Sequence, residues 1–573
     1  MSFPADETSR LISDDVPQST DNLITLEEDY HQHNLSLPKG PILYSLWMGS
    51  FLGSIDSTIV ANIMNKVAEE FEESDKKQWI VTSFLLTNTA FQPLYGKLSD
   101  LTGRKTALML AHSFFLVGCL CTALSNNLTQ FSLARAVCGM GAGGISALSS
   151  ITVSDICTPK ERGVYQGYAN VVFGTGSLLG GPVGGWIMDA FGWKVIFAGQ
   201  VPLIMTCMYL GFRNVNVKLT HIPPMNERYK WKNIRRIDLG GSISLICTIF
   251  GFLCLTSTDL NKSTLTAFTV VSLVVFILNE LYWAPERIIP IHLLSGTFGI
   301  TSLLTILSSF IVFGDVFRNP VYLQLVQNIS LTSTGGFLLF SSASSAFASL
   351  ATGWILRNTK LRLATCAYLL ITISVCLHFI SLSLGYATIS HTEPNPTSYV
   401  DTSAAVAVGE SYRFAWYQFR WRIFYVLAMV LNTWAYATIL VATLVSIVFT
   451  IPKSQQATIT GCFYLWRSIG TVLGANSVLT IFETSITTKL YHYLHPIGMD
   501  KQYYSLIHDS SFLRRNFSGG TLKDLLEVYI EAFLLSYIPA FVVSILAVAV
   551  GLKLFFSHNR EVPQTKNGES DLA

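Results

Sequence analysis

Charge is scarce in this chain of 573 residues, where Asp, Glu, Lys and Arg together make up 13% of the sequence. Hydrophobic residues supply 50%, and the mean hydropathy is +0.44. So few charged groups cannot cover the surface of a soluble protein of this size. The composition therefore predicts an integral membrane protein. The sequence has no basic tract and no basic face studded with aromatic residues, so we expect no nucleic acid partner.

The sequence also lacks the patterns of enzyme active sites and metal centres. Its polar stretches contain no nucleophile–base pair, phosphate-binding glycine loop or metal-ligand cluster. The ten cysteines lie in or beside apolar runs, which is typical of buried small hydrophobic residues. We therefore expect no enzymatic activity and no bound metal.

The first part of the chain, residues 1–40, is acidic and polar. It lacks the basic start and apolar core of a cleaved signal peptide, and we expect a disordered tail. Glu7, Leu11 and Ile12 within it fit an acidic dileucine sorting signal, to which a sorting adaptor would bind, although such short motifs also arise by chance.

Fourteen apolar stretches approach the roughly 20 residues that a helix needs to cross a bilayer. We number them as spans 1 to 14, and they lie at residues 42–64, 79–96, 107–125, 131–154, 164–188, 195–212, 238–257, 265–283, 297–318, 331–354, 364–386, 422–450, 458–482 and 526–556. An even number of spans predicts that both ends of the chain lie on one side of the membrane.

The orientation follows from Lys and Arg, which concentrate in the connections after even-numbered spans and therefore place these connections in the cytoplasm. A second signal comes from N-x-S/T sequons, which are glycosylated on the lumenal or outer side. Sequons in the connections after odd-numbered spans are Asn127, Asn261, Asn328 and Asn516. The remaining sequon, at Asn34, lies in the tail. Together these signals predict cytoplasmic termini and a glycoprotein.

The stretch "GKLSDLTGRK" between spans 2 and 3 crowds charge into a short connection. Its residues of interest are Gly96, Asp100, Gly103, Arg104 and Lys105. The first glycine allows two helices to approach closely, the second permits a tight turn, and the aspartate can receive cationic side chains. We interpret the stretch as an ionic latch that forms in one conformation and breaks in another. Positive-inside topology alone is the alternative, and it leaves the aspartate and the paired glycines unexplained.

This stretch resembles the signature loop of the major facilitator superfamily, and further stretches agree with that family in order and spacing. "SIDSTIVANIMNKVAEEF" resembles the first-helix motif of its fourteen-span drug:proton antiporter branch. "LARAVCGMGAGG", with Arg135, resembles the fourth-helix motif, and "RSIGTVLG" resembles a motif of the second half. "GTGSLLGGPVGGW" resembles the antiporter motif, with Gly176, Gly180, Gly181, Pro182, Gly184 and Gly185.

Within this branch the chain looks like the fungal vacuolar basic amino acid transporters, through stretches such as "KKQWIVTSFLLTNTAFQPLYGKLSD". The resemblance implies an antiporter that moves Lys, Arg or His from the cytosol into an acidic vacuole in exchange for protons. A proton gradient would supply the energy, without a cofactor. The implied partners are the amino acid, protons and membrane lipid, and we expect a monomer.

The resemblance also implies an all-α integral membrane fold, with two six-helix bundles that rock around a mid-membrane site and two inserted helices. The glycine-rich antiporter motif would pack span 5 against the opposite half and seal the pathway against proton leak. The implied division is a tail at 1–40, an N-terminal bundle at 41–212, a cytoplasmic linker at 213–237, the inserted pair at 238–296, a C-terminal bundle at 297–556 with lumenal loops at 387–421 and 483–525, and a cytoplasmic tail at 557–573.

Ionisable residues inside apolar spans are costly and are therefore candidates for function. Asp56, in the middle of span 1, is a candidate to exchange a proton or to hold a cationic substrate. Arg135, in span 4, is a candidate to bias the proton affinity of a neighbouring carboxylate or to hold a substrate carboxylate. Structural hydrogen bonds are the alternative for both residues.

Asp315 and Arg318 lie three residues apart in span 9, on one helical face. With Asp56, they are candidates to bind the charged groups of an amino acid whose side chain is cationic; the alternative is that the two pair with each other. Asn88 and Gln92, one turn apart in span 2, are candidate substrate contacts, with interhelical hydrogen bonds as the alternative.

Three functions therefore stay open. A vacuolar proton-coupled exchanger of basic amino acids leads. A plasma-membrane exporter of drugs or other organic cations is the alternative within the same class. A nutrient sensor that kept the fold and binds its solute without moving it is the alternative of another class. The tail signal and the resemblance together favour the vacuolar membrane over the plasma membrane.

Overall fold

The structure is a computed structural model, and most of the chain is described in it. The described residues are 29–30, 32–73, 76, 78–220, 222, 238–257, 261–284, 287–289, 294, 296–329, 331–392, 408–450, 455–495, 513, 516–517 and 519–561. Glu7, Leu11 and Ile12 of the predicted sorting signal lie outside these residues.

The first half of the chain forms six long helices. They are α1 (Lys39–Glu70), α2 (Gln78–Thr102), α3 (Arg104–Ala123), α4 (Leu128–Ile156), α5 (Pro159–Phe191) and α6 (Trp193–Asn214). Gly103 turns the chain between α2 and α3 with a φ of 94°, a conformation that glycine adopts without a steric penalty. At the start of α5, the side chains of Thr158 and Glu161 each accept a hydrogen bond from the other's backbone N–H, which is a capping box.

The rest of the chain is also helical where it is described. Its elements are α7 (Leu239–Ser257), α8 (Lys262–Leu278) with a π-helical turn at Asn279–Trp283, α9 (Thr297–Leu325), α10 (Leu331–Asn358), α11 (Leu363–Ser390), α12 (Val408–Thr450), α13 (Gln456–Leu494), α14 (Gly519–Leu535) and α15 (Ile538–Glu561). α12 begins inside the predicted loop 387–421. Span 14 is broken at Ser536 and Tyr537, just before Pro539, which lacks an N–H for the helical hydrogen bond.

Each predicted span coincides with one helix or, for the last span, with the pair α14 and α15. By length and composition, eleven helical segments of the described chain can cross a membrane, with α14 and α15 taken as one. The other three predicted spans are α1, α2 and α7. The predicted all-α fold is confirmed for the described residues.

The helices pack as two bundles. α1 to α6 form the first bundle, and α9 to α15 form the second. Across the interface between them, α5 packs along α10, and α2 packs along α13. α7 and α8 pack together beside α2, and residues of these helices share an apolar core with α9, α12 and α13.

The bundles approach each other closely at the end that carries the charged loop, which we call the charged-loop face. A Cβ atom on Gly96 would lie 2.8 Å from the carbonyl oxygen of Ala457. A Cβ atom on Gly353 would lie 2.5 Å from the carbonyl oxygen of Gly163. Because only glycine fits at such separations, α2 and α13, and likewise α5 and α10, are closed against each other at this face.

Candidate functional site

A cavity of about 320 Å³ lies between the two bundles. Residues of α1, α2, α4 and α5 line it from the first bundle, and residues of α9 and α13 line it from the second. Its wall combines aromatic rings with amides and hydroxyls, among them Asn88, Gln92, Gln166, Asn170, Phe173 and Tyr464. The volume suits a small solute, because pockets for small molecules begin at about 300 Å³.

The two predicted amides of α2 both line this cavity. α4 approaches α2 closely here, since a Cβ atom on Gly143 would lie 2.3 Å from the Asn88 carbonyl oxygen. Ser468 of α13 donates a hydrogen bond to Gln92 Oε1 at 3.3 Å, which links the two bundles. The Asn88 side chain has no hydrogen-bond partner among the described residues, so its amide is available to a solute.

Arg467 of α13 is the one charged side chain among the cavity-lining residues that the structure describes. Its Nε donates to the Tyr436 hydroxyl at 3.0 Å, and its guanidinium carbon lies 5.7 Å from the centroid of the Phe173 ring. The sequence marks Arg467 as part of "RSIGTVLG" without assigning it a role. The motif gave no signal that this side chain faces a cavity.

Asp56 and Arg135 form an ion pair behind the cavity wall, and both side chains are fully buried. Arg135 Nη1 lies 2.8 Å from Asp56 Oδ2, and the Gln200 amide donates to Asp56 Oδ1 at 3.3 Å. The Arg135 guanidinium carbon is 4.5 Å from the centroid of the Phe84 ring, and Phe84 itself lines the cavity. One layer of side chains therefore separates the pair from the cavity. The structure joins the two residues predicted for proton coupling, and their role in coupling stays a prediction.

Asp315 and Arg318 also pair with each other, and neither lines the cavity. Asn432 donates to Asp315, and Arg318 Nη1 donates to the backbone carbonyl of Ser536 at 3.3 Å. The Arg318 guanidinium carbon lies 3.3 Å from the centroid of the Tyr537 ring. Arg318 thus satisfies a carbonyl at the break between α14 and α15. The pairing corresponds to the alternative that the sequence leaves open, and substrate binding by these two residues stays a prediction.

At the charged-loop face, Arg104 joins Asp100 to a residue that sequence reasoning missed. Arg104 Nη1 donates to Asp100 Oδ1 and Arg104 Nε donates to Asp155 Oδ2, both at 2.7 Å. Thr458 of α13 donates to Asp100 Oδ2 at 3.4 Å, so this ion cluster contacts the second bundle. The sequence did offer a signal for this contact, because Asp155 is acidic and follows span 4 at the end that carries the charged loop.

The remaining residues of the charged loop lie outside that ion cluster. Gly103 forms the turn, and Gly96 allows the close approach to Ala457. Lys105 Nζ donates to the Asn216 side chain at 3.1 Å, beyond the end of α6. Within the predicted latch, Asp100 is therefore the charged residue that contacts the second bundle through Thr458.

The sequence matches a known family over most of its length. A sequence model described as "Major Facilitator Superfamily" matches residues 46–475. The chain belongs to the major facilitator superfamily. The family predicted from the motifs is thereby confirmed.

Curated members of the superfamily resemble the chain over most of their own length. It is 55% identical to "Vacuolar basic amino acid transporter 1" of Saccharomyces cerevisiae, over 96% of this chain and 97% of the relative. It is 30% identical to "Vacuolar membrane amino acid uptake transporter fnx2" of Schizosaccharomyces pombe, over 83% and 77%. It is 29% identical to "Multidrug resistance protein fnx1" of the same yeast, over 79% and 80%.

Solved structures of the superfamily share the fold at low sequence identity. The proton:xylose symporter XylE, bound to 6-bromo-6-deoxy-D-glucose, is 14% identical, with a TM-score of 0.50 over 92% of this chain and 96% of that one. The human organic anion transporter MFSD10 is 12% identical, with a TM-score of 0.50 over 88% and 99%. The major facilitator fold is confirmed by these matches.

The superfamily's antiporter motif packs differently from the prediction. The family resemblance implies that its glycines pack α5 against the opposite half, but in this conformation they pack against α1 of the same bundle. A Cβ atom added to Gly176, Gly180 or Gly184 would lie within 2.8 Å of an atom of α1. Gly181 faces Asn62 of α1, and Pro182 lies inside the helix. A Cβ atom on Gly185 would have no contact within 4 Å with other parts of the described chain. α5 meets α10 nearer the charged-loop face, where α5 carries Gly163.

The four predicted glycosylation sites share one face of the molecule. Asn127 and Asn261 are the N-cap residues of α4 and α8, Asn328 follows α9, and Asn516 precedes α14. Because successive helices run in opposite directions, all four lie at the end opposite the charged-loop face. Their glycosylation stays a prediction.

Proposed function

We propose that the chain is a proton-coupled antiporter that moves the basic amino acids Lys, Arg and His from the cytosol into the vacuole. The observation that carries this proposal is the 55% identity, over 96% of the chain, to a relative named as a vacuolar basic amino acid transporter. The cavity supports it, because its volume suits an amino acid and its amides and hydroxyls can hydrogen-bond to ammonium and carboxylate groups. The vacuolar membrane is the proposed location.

Transport would proceed by alternating access, with the two bundles rocking around the cavity. Lys and Arg in the even-numbered connections favour a cytoplasmic position for the charged-loop face. This conformation, closed at that face, would then be the one from which a solute leaves towards the lumen. The cluster of Asp100, Arg104 and Asp155, with Thr458 against it, would hold the cytoplasmic side shut until the bundles rock back.

Proton coupling is assigned to Asp56 and Arg135. Protonation of Asp56 would remove the negative charge that pairs with Arg135 and would therefore disrupt the pair. Phe84 and Gly53 line the cavity next to this pair, so a change in its packing reaches the solute site. A lumenal proton that binds Asp56 would therefore favour return of the empty transporter to its cytoplasm-facing conformation.

The proposal is tested by uptake of labelled lysine, arginine and histidine into vacuolar membrane vesicles energised by ATP. We expect uptake that depends on this protein and collapses when a protonophore removes the gradient. Vesicles that contain the protein and hold a gradient, yet take up none of the three amino acids, would contradict it.

Export of drugs or other organic cations is the second candidate, because the chain is also 29% identical to a relative named as a multidrug resistance protein. The two candidates predict different membranes and solutes. Cells with the protein would, under this alternative, tolerate toxic organic cations better than cells without it, and would keep the protein at the plasma membrane.

The location is tested by replacing Leu11 and Ile12 with Ala. If the tail carries the sorting signal, this variant should appear at the plasma membrane by fluorescence microscopy, whereas wild type labels the vacuole. Replacement of Leu23 and Ile24, a second apolar pair of the same tail, is the matched control and should not move the protein. An unchanged vacuolar pattern in the first variant would discard the signal.

A further inference from the structure

The charge of the cavity wall is unexpected for a transporter of cationic solutes. Among the described lining residues Arg467 is charged and none is acidic. Asp56 and Asp315, the acidic candidates from the sequence, are committed to Arg135 and Arg318 away from the wall. Among the described lining residues, a basic amino acid therefore meets a cationic group and no carboxylate.

Neutral side chains hold the Arg467 guanidinium in place, and no carboxylate of the described residues pairs with it. Its Nε donates to the neutral hydroxyl of Tyr436, and one side of it lies over Phe173. Its terminal nitrogens have no hydrogen-bond partner among the described residues. A partly buried guanidinium with free terminal donors is costly alone and matches the two oxygens of a carboxylate.

We propose that Arg467 binds the α-carboxylate of the transported amino acid, and that uncharged groups receive its ammonium groups. The inference rests on the proposed function and refines it, because it makes a free carboxylate a requirement for recognition. Gln92, hydrogen-bonded to Ser468 beside Arg467, and the uncommitted Asn88 supply amide oxygens for the amines. The ring of Tyr464 on the same wall adds an aromatic face for a cationic side chain.

This arrangement predicts discrimination against amines that lack the carboxylate. Cadaverine is lysine without its carboxylate, and lysinamide has a neutral amide there. Neither would satisfy Arg467, and both would add positive charge beside it. The loss of one charge-assisted bidentate contact corresponds to about tenfold or more in apparent affinity.

The test measures how unlabelled lysine, cadaverine and lysinamide inhibit uptake of labelled lysine into vacuolar vesicles. With wild type, we expect both analogues to inhibit at least tenfold more weakly than lysine. Arg467→Gln should raise the KM for lysine about tenfold or more and should bring lysine and cadaverine to similar inhibition constants. Arg467→Lys should keep part of the preference, because it keeps the charge but not the planar fork.

Loss of the preference for lysine over cadaverine in Arg467→Gln would show that Arg467 binds the substrate. A purely structural role of Arg467 would reduce transport without changing the ratio of the two inhibition constants. Lys489→Gln, also on α13 but paired with Glu531 and outside the cavity lining, is the matched control and should keep the wild-type ratio. Immunoblots of the vesicles check that each variant is present. Equal inhibition by lysine and cadaverine in wild type, or an unchanged ratio in Arg467→Gln, overturns the inference.

Thermal stabilisation of the purified full-length protein by ligands tests carboxylate binding by Arg467 separately from the proposed transport function. If wild type takes up no basic amino acid, the proposed function fails, and the inference is then tested by comparing stabilisation with lysine, cadaverine, leucine and isoamylamine. Stabilisation by the carboxylate-bearing member of each pair, lost in Arg467→Gln, supports Arg467 as a carboxylate site. No preference for the carboxylate in either pair overturns it.

Discussion

Arg135, Arg318 and Arg467 differ in their partners, and this difference separates their roles. Arg135 lies against Asp56, and Arg318 lies against Asp315, so each of these guanidinium charges is neutralised within its own bundle. Arg467 meets a neutral hydroxyl and keeps its charge towards the cavity. Since an ion pair in a spanning helix is expensive to break, the two pairs are sites where a proton or a substitution has a large effect.

At the Asp56 pair, we expect Asp56→Asn to reduce gradient-driven lysine accumulation in vesicles to background. The amide cannot carry a proton through the cycle, and it leaves Arg135 without its counter-charge. Removing one partner of such a pair costs about 3–5 kcal/mol, so the amount of protein in the vesicles must be measured alongside.

Lys66→Gln, on the same helix, is the control for Asp56→Asn. Its ion pair with Asp189 is exposed, with 57% and 69% of the two side chains accessible, and such pairs contribute about 0–1 kcal/mol. Accumulation in this control should match wild type. Near-normal accumulation by Asp56→Asn would remove Asp56 from the coupling mechanism.

At the Asp315 pair, we expect Asp315→Asn to lower the thermal stability of the protein and to reduce transport of lysine, arginine and histidine in equal proportion. The substitution leaves Arg318 buried without its carboxylate at the break between α14 and α15. Glu483→Gln, the same chemical change at an exposed position of α13, is the control. A KM that rises for cationic amino acids while neutral solutes are unaffected would instead favour direct binding of the substrate by Asp315.

At the scale of elements, α2 and α13 meet through positions without side chains. A Cβ atom on Gly96 would lie 2.8 Å from the Ala457 carbonyl oxygen, and one on Gly461 would lie 2.9 Å from the Cα atom of Pro93. The two helices therefore have little room to accept even a methyl group while the charged-loop face is closed. The Thr458 contact to Asp100 lies at the same crossing, so packing and charge act together there.

We therefore expect Gly96→Ala to reduce the initial rate of lysine uptake severalfold at unchanged protein level, because it destabilises the conformation closed at the charged-loop face. Gly174→Ala on α5 is the matched control, since a Cβ atom there would have no contact within 4 Å with other parts of the described chain, and its rate should equal wild type. Equal rates for both variants would show that this crossing does not have to close as tightly as the structure indicates.

At the scale of the whole molecule, the helix directions place the charged loop and the four odd-connection sequons at opposite ends. Asn34 is the exception in the sequence, and it is buried, with its amide donating to the Lys218 backbone carbonyl. An orientation with the charged-loop face in the cytoplasm leaves Asn34 away from the glycosylation machinery and exposes the other sequons to it.

We expect digestion with an N-glycosidase to increase the gel mobility of the wild-type protein. The shift should disappear when the sequon asparagines are replaced by Gln together, namely Asn127, Asn261, Asn328 and Asn516. The Asn34→Gln variant should keep the shift. A shift that survives the fourfold replacement and is lost in Asn34→Gln would reverse the proposed orientation.

The sequence by itself determined the helices, their order and several local pairs. Span length and hydropathy are properties of about 20 consecutive residues, and helical periodicity puts Asn88 beside Gln92 and Asp315 beside Arg318. The turn at Gly103 was also predictable from the local sequence, because glycine alone adopts that φ without strain. The family was predictable from motifs that are short and contiguous.

Only the tertiary structure decided which helix faces meet. Asp155 reaches Arg104 from a position 51 residues away, and Ser468 reaches Gln92 from 376 residues away. The same packing turned Arg467 into the cavity and Asp315 out of it. A helix in a bundle presents several faces to different neighbours, and periodicity tells which residues share a face but not what that face will touch. The charge of the cavity was therefore decided by packing between distant helices.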